Sequence, residues 1–211
     1  MSDTTIVHLL RHGEVENPQH ILYGRLPGYR LSANGRSMAE AAADYFAGRP
    51  VVALFSSPLE RAAETAGPVG ERLGLPVVFD ERLIEAANHF EGLAFGVGDG
   101  LLRHPAHWPY LRNPFRPSWG EPYRDIVARM RAVIETAREA AQGGEAVCVT
   151  HQLPIWATRR MAEGRPLWHN PATRQCALGS VTSFTYTGNR LAGVSYAVPA
   201  RRQVPQGDAA Q

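Results

Sequence analysis

The sequence predicts an α/β fold, a three-layer α/β/α sandwich with a mostly parallel central sheet and an inserted cap segment. Short apolar runs typical of buried strands alternate with longer segments whose apolar residues recur at helical spacing. The alternation is interrupted at 86–122, where five prolines and two tryptophans occur without a regular pattern. We therefore expect one sandwich, with a cap inserted at this point.

The N-terminal residues predict a strand, a loop and a helix. Residues 4–10 are mostly apolar, and 13–31 are rich in Gly, Pro, Asn and Tyr, which is typical of a loop. The Ser32 hydroxyl is suited to accept a hydrogen bond from the first helical turn. A helix is therefore predicted at 33–47.

The next unit repeats this order. An apolar strand is predicted at 51–55, and Ser57 is interpreted as the cap of a helix at 58–73. Pro58 would occupy the first helical position, and Glu60 follows the cap by three residues, as in a capping box. The remaining elements are predicted as a short strand at 76–79, a helix at 123–141, a strand at 146–150, a helix at 153–163 and a closing hairpin with strands at 181–186 and 191–197.

Composition is that of one ordinary globular domain. The chain has 211 residues, of which 44% are hydrophobic and 20% are charged. We predict a single domain at 1–198 and a polar, disordered tail at 199–211. The 22 Lys and Arg residues nearly balance the 20 Asp and Glu residues. This balance argues against a nucleic-acid partner.

Cysteine usage and hydropathy predict where the protein resides. The two cysteines include Cys148, which lies in an apolar strand and is expected to be buried and reduced. No basic segment followed by an apolar one opens the chain, and no apolar run approaches membrane-spanning length. A cytoplasmic location without a membrane partner is predicted.

Polar residues suited to catalysis follow several predicted strands. Arg11 and His12 follow the first strand, Arg61 lies in the helix after the second, Glu85 comes after the third, and His151 follows the fourth. The carboxyl ends of parallel strands form the edge of the sheet where ligands bind. We therefore expect two imidazoles, two guanidiniums and a carboxylate to converge there.

This set of side chains suits phosphoryl transfer. Two arginines and one histidine can donate hydrogen bonds to the nonbridging oxygens of a phosphomonoester. A neutral imidazole can attack phosphorus to give a phosphohistidine, and a carboxylic acid such as Glu85 can protonate the leaving oxygen. The expected partner is a small phosphorylated molecule, with neither a metal ion nor a cofactor.

The motifs that carry these residues resemble those of the histidine phosphatase superfamily, the phosphoglycerate mutase-like branch 1. Residues 9–14, Leu-Leu-Arg-His-Gly-Glu, look like the family's opening motif. Residues 56–65, Ser-Ser-Pro-Leu-Glu-Arg-Ala-Ala-Glu-Thr, resemble a long motif that seldom arises by chance. Similar matches occur at 31–36, 83–92 and 149–151, so the resemblance spans most of the chain.

The resemblance implies a role for each candidate residue. It implies that His12 is the nucleophile and Glu85 the proton donor, while Arg11, Arg61 and His151 bind the phosphoryl group. Two nearby carboxylates, those of Glu81 and Glu91, remain alternatives for the proton donor. The expected function is metal-independent hydrolysis of a small phosphomonoester.

Some positions depart from the family pattern, and other functions stay open. Pro18 stands where the family often has Asn, which makes a phosphate contact from Asn17 doubtful, and Gln152 stands where Gly is common. The alternatives are phosphoglycerate mutase-type transfer and a catalytically silent phosphate-binding module. A homodimer is one option, because the terminal hairpin offers an edge for strand pairing.

Overall fold

A six-stranded sheet forms the centre of the fold in the part of the chain that the computed structural model describes, residues 4–94 and 119–200. The spatial order of the strands is β3-β2-β4-β1-β5-β6. Strands β3, β2, β4 and β1 are parallel to one another, β5 is antiparallel to β1, and β6 is antiparallel to β5. The strands are β1 Thr4–Arg11, β2 Val51–Ser56, β3 Val77–Phe79, β4 Glu145–Thr150, β5 Val181–Thr187 and β6 Arg190–Ala197. The predicted mostly parallel sheet and its closing hairpin are confirmed.

Helices cover both faces of the sheet, as expected when each face of a parallel strand carries apolar residues. The helices are α1 Ala33–Phe46, α2 Glu60–Leu73, α3 Tyr123–Ala140 and α4 Gln152–Ala162. On one face, Leu10 and Val149 pack in a core with α1 and α2. On the other face, Leu9 and Cys148 pack in a core with α3 and α4. Cys148 is buried and free, as the sequence predicted.

Two glycines allow the loop after β1 to lie directly against α1. A Cβ atom added to Gly13 would lie 2.5 Å from the Gly35 carbonyl oxygen, and one added to Gly35 would lie 2.0 Å from the Glu14 carbonyl oxygen. Ser32 caps α1 as predicted, because its hydroxyl accepts a hydrogen bond of 3.0 Å from the Gly35 amide. The backbone contact holds the segment around His12 in place.

We expect Gly35→Ala to destabilise the protein by about 3 kcal/mol, although alanine is normally the better helix former. The added methyl group would overlap the Glu14 backbone, which would have to shift to accommodate it. The free energy of unfolding in urea checks this. Gly193→Ala is the control, since Gly193 is exposed and a Cβ there meets nothing within 4 Å. Equal stability of the two variants would contradict the prediction.

The predicted start of α2 is wrong by two residues. The helix begins at Glu60 rather than at residue 58, and its cap residue Leu59 provides no side-chain hydrogen bond. The Ser57 hydroxyl accepts only a long hydrogen bond of 3.4 Å from the Leu59 amide, and it lies 2.8 Å from the His151 ring nitrogen. The long-range contact of Ser57 is therefore shorter than the local one that the sequence indicated.

The predicted cap falls partly outside the described residues. Asn88 and Gly120 form an isolated antiparallel bridge, and the Glu121 amide donates to the Ala87 carbonyl over 3.0 Å. The two ends of the inserted segment therefore lie side by side. Residues 95–118, like residues 201–211 of the predicted tail, lie outside the described part, so the cap and the disordered tail stay predictions. None of the helices within residues 4–94 and 119–200 has the length and hydropathy needed to cross a membrane.

Candidate active site

The pairing of β1 with β4 brings the two candidate histidines together. Arg11 lies opposite Thr150 in the parallel register, so His12 and His151 each follow the last residue of neighbouring strands. Their ring centroids are 5.2 Å apart. The two imidazoles expected at the carboxyl edge of the sheet therefore lie side by side.

His12 is held in a single tautomer. Its Nδ1 lies 2.7 Å from the Gly13 carbonyl oxygen, and since a carbonyl only accepts, Nδ1 must carry the proton. The Nε2 atom is then left with its lone pair. The side chain is buried, and this burial, together with the charges of Arg61 and Arg11, holds its pKa well below the usual 6.5. A neutral imidazole with an unprotonated Nε2 is the form that a nucleophile requires.

Arg61 is buried beside His12 rather than exposed on a helix surface. Its Nη2 donates to the Gly24 carbonyl over 2.6 Å, and its guanidinium lies over the Tyr23 ring, 4.8 Å from the centroid. Glu64, which follows Arg61 by three residues in α2, forms an ion pair with Arg30 and not with Arg61. The Arg61 cation is therefore fixed in position from two sides.

The candidate phosphate-binding residues keep polar atoms without partners. Arg11 donates through Nη1 to the Cys176 carbonyl over 2.5 Å, and His151 uses Nε2 to contact Ser57. Seven buried side-chain nitrogen and oxygen atoms lack a hydrogen-bond partner within the described residues. Four of them are Nε of Arg11, Nε and Nη1 of Arg61, and Nδ1 of His151. Since unpaired buried polar atoms are costly, this concentration indicates a site built for a ligand.

Glu85 faces the same cavity as Arg11 and His12. Burial raises the pKa of its carboxyl above the usual 4.5, while the Ala86 amide and nearby arginines oppose the rise. The Ala86 amide donates to Oε1 over 2.8 Å. A raised pKa favours the protonated form, which is the form that can donate a proton to a leaving group.

A network of arginines positions the backbone of Glu85. The Arg25 Nε donates to the Glu85 carbonyl over 2.7 Å, and Arg25 also forms an ion pair with Glu121. Glu121 in turn binds Arg129. These charge-assisted bonds connect the carboxylate's segment to the start of α3.

Glu81 and Glu91, the two alternative proton donors, are placed less favourably for that role than Glu85. Glu81 is exposed, and the Glu91 carboxylate accepts a hydrogen bond of 3.1 Å from the Asn88 amide. Neither residue lines the cavity that holds His12 and Glu85. Asn17 is also engaged elsewhere, since its side chain both donates to and accepts from the Ile21 backbone.

The cavity has a volume of about 660 Å³, enough for a metabolite-sized ligand. Sequence reasoning missed three residues in or beside it: Tyr23 and Arg174, which line it, and Ser57, which orients His151. No motif indicated Tyr23 or Arg174, because both lie in irregular segments. Within the described residues, no group of three His, Cys, Asp or Glu side chains is arranged to hold a metal ion. The expected independence from metal stays a prediction.

Comparison with known proteins identifies the family. The model of the histidine phosphatase superfamily (branch 1) matches residues 7–198. An uncharacterized protein of Mycobacterium tuberculosis is 55% identical over 200 residues, which cover 95% of this chain and 99% of the relative. The probable phosphoglycerate mutase GpmB of Escherichia coli is 27% identical over 187 residues, or 83% of either chain. The chain belongs to the histidine phosphatase superfamily, branch 1.

Solved structures of the family agree with this assignment. The native mycobacterial glucosyl-3-phosphoglycerate phosphatase has a TM-score of 0.70 and 30% sequence identity, covering 86% of this chain and 90% of that chain. The same enzyme in complex with inorganic phosphate has a TM-score of 0.70 at 28% sequence identity, covering 92% of this chain and 95% of that chain. Family and relatives together support a phosphatase or a mutase.

Proposed function

We propose that this protein is a metal-independent phosphatase that hydrolyses a small phosphomonoester through a phosphohistidine intermediate on His12. The observation that carries the proposal is the cluster of unpartnered guanidinium donors on Arg11 and Arg61, beside the unpartnered Nδ1 of His151, around a neutral imidazole. These donors can neutralise and orient a phosphoryl group in front of His12 Nε2. The binding of inorganic phosphate by the mycobacterial relative supports this assignment.

The first step transfers the phosphoryl group to the enzyme. The lone pair of His12 Nε2 forms a bond to phosphorus while the phosphorus–oxygen ester bond breaks. The electron pair of that bond stays on the leaving oxygen, which takes the proton of Glu85. The positive charge that develops on the imidazole ring is stabilised by the Gly13 carbonyl, which accepts from Nδ1.

The second step releases phosphate. The Glu85 carboxylate takes a proton from a water molecule as the water oxygen forms a bond to phosphorus. The nitrogen–phosphorus bond breaks, and its electron pair returns to Nε2. Inorganic phosphate leaves, and both His12 and Glu85 regain their starting protonation states.

Phosphoglycerate mutase-type transfer is the second candidate, favoured by the similarity to the probable phosphoglycerate mutase. A mutase uses the same nucleophile but returns the phosphoryl group to a substrate instead of to water. Interconversion of phosphoglycerate isomers that depends on a bisphosphate primer would select this candidate. A cytoplasmic location, a homodimer and the absence of nucleic-acid and membrane partners stay predictions from the sequence.

The proposal is tested by incubating the full chain with 4-nitrophenyl phosphate in the presence of a metal chelator. We expect phosphate release that survives the chelator. Rapid quenching should trap a phosphoprotein that is stable to alkali and labile to acid, as a phosphohistidine is. Release that stops with chelator and returns with a divalent cation would contradict the mechanism. Absence of both release and phosphoprotein would favour the phosphate-binding module.

Hydrolysis should show a bell-shaped dependence of kcat/KM on pH. Activity requires neutral His12, so it falls as the pH drops through the pKa of His12, and the lowered pKa moves this loss well below pH 6.5. Activity also requires protonated Glu85, so it falls as the pH rises through a pKa above 4.5. The profile is measured after correction for titration of the substrate. An acid limb centred at or above pH 6.5 would contradict the assignment of His12.

A further inference from the structure

Arg61 is fully buried and, within the described residues, forms no ion pair with an acidic side chain. The Gly24 carbonyl accepts from its Nη2, while its Nε and Nη1 have no hydrogen-bond partner in the same part of the chain. The carboxyl groups of Glu60, Glu85 and Glu91 favour its charge without a hydrogen bond to it, and burial still lowers the pKa of Arg61. A buried guanidinium is costly unless groups in contact stabilise its charge.

The ring of Tyr23 is in contact with this cation. The Arg61 Cζ atom lies over the ring, 4.8 Å from its centroid, inside the range of about 6 Å over which a ring face attracts a cation. This attraction is stronger where water is excluded, as it is around a fully buried guanidinium. Tyr23 also lines the cavity that holds His12, so the pair lies at the wall of the candidate active site.

The segment that carries Tyr23 is fastened to the helix that carries Arg61. Glu64 of α2 accepts a hydrogen bond of 2.8 Å from the Leu31 amide. The Tyr29 ring stacks on the Tyr23 ring, with the centroids 5.1 Å apart and the planes inclined by 28°. These contacts hold the ring and the guanidinium in one arrangement before any ligand binds.

A ring face suits a cation that must also bind an anion. A carboxylate in contact with Arg61 would neutralise the guanidinium and compete with the phosphoryl group for its N–H donors. An aromatic ring attracts a cation through its quadrupole but carries no net charge that would neutralise it. Tyr23 can therefore hold the guanidinium without competing with the phosphoryl group.

We propose that Tyr23 is a positioning residue for phosphoryl binding, whose ring face stabilises the Arg61 cation in place of a counter-ion. This inference deepens the proposed phosphatase function and rests on it. Arg61 then contacts the phosphoryl group already charged and oriented, so less binding free energy is lost in ordering it.

The test varies the electron density of the ring while its shape is kept. Position 23 receives phenylalanine, 3,5-difluorophenylalanine or 3,4,5-trifluorophenylalanine, because fluorine withdraws electrons from the ring face that attracts the cation. The affinity for inorganic phosphate is measured by calorimetry on the full chain. We expect Tyr23→Phe to bind phosphate within about twofold of the wild type and the trifluoro variant to bind it about tenfold more weakly, with the difluoro variant between them.

Tyr45 provides the matched control. Its ring also contacts an arginine, with the Arg49 Cζ atom 5.4 Å from the centroid, but it does not line the cavity. Trifluorophenylalanine at position 45 should leave the affinity for phosphate within about twofold of the wild type. Weakening at position 45 equal to that at position 23 would reveal a general effect of fluorination and overturns the proposal.

A further variant, Tyr23→Leu, removes the ring and should weaken phosphate binding by about tenfold. Equal phosphate affinity of Tyr23→Phe and the trifluoro variant overturns the proposal, since the shape of the ring and not its charge distribution would then matter. Equal weakening by Tyr23→Phe and Tyr23→Leu also overturns it, because the hydroxyl group would then be responsible. So does a wild-type protein that binds no inorganic phosphate.

The binding measurement separates this inference from the proposed reaction. Phosphate affinity that follows the electron density of the ring, in a protein that neither releases phosphate nor forms phosphohistidine, contradicts the phosphatase and leaves the role of Tyr23 standing. Hydrolysis through His12 with a phosphate affinity that fluorination does not change contradicts the role of Tyr23 alone.

Discussion

His12→Asn is expected to lower kcat/KM for phosphate release by at least about 10⁴-fold, because the amide cannot form the covalent intermediate. Asparagine can still donate a hydrogen bond to the Gly13 carbonyl, so the local structure should be kept. The measurement is initial phosphate release, together with quenching for phosphoprotein. The melting temperature should remain within a few degrees of the wild-type value.

His20→Asn provides the matched control for this substitution. His20 is exposed and has a φ of 52°, a left-handed conformation that asparagine tolerates well. Its activity should remain within about twofold of the wild type, as for a surface change away from the site. Substantial turnover by His12→Asn, with a phosphoprotein still formed, would remove His12 as the nucleophile.

Glu85→Gln should lower kcat/KM by about 10²- to 10⁴-fold for an alkyl phosphate, whose leaving oxygen needs a proton. For 4-nitrophenyl phosphate, which has a far better leaving group, the loss should be less than about tenfold. The two substrates differ in this way because kcat/KM depends on the steps up to formation of the phosphohistidine, and the leaving group departs in that step. The falling limb of the pH profile above the raised Glu85 pKa should also disappear.

Glu81→Gln is the control, since Glu81 is an exposed carboxylate four residues before Glu85. It should leave both substrates and the pH profile unchanged. If Glu85→Gln slowed both substrates equally, its role would be structural or would lie in binding the phosphoryl group. If the loss of kcat/KM differed more between the alkyl phosphate and 4-nitrophenyl phosphate in Glu81→Gln than in Glu85→Gln, the proton donor would be Glu81 and not Glu85.

The elements that carry the predicted site residues follow from local sequence patterns. Apolar runs predict β1 and β4, and the sequence alone predicts the two histidines that come directly after them, His12 and His151. Parallel pairing then places them together, because the carboxyl ends of parallel strands share one edge. Where a long-range contact competes with a local one, as at Ser57, the local prediction fails.

The sequence by itself determined the family, the α/β class and the candidate residues at the strand ends, because motif and periodicity are properties of neighbouring residues. Only the tertiary structure decided the tautomer of His12, the burial of Arg61 and the place of Arg174 in the cavity. The carbonyl that holds Arg11 belongs to a residue 165 positions away, and the hydroxyl that holds His151 is 94 positions away. Protonation and orientation depend on burial and on such contacts, and these exist only once the chain has folded.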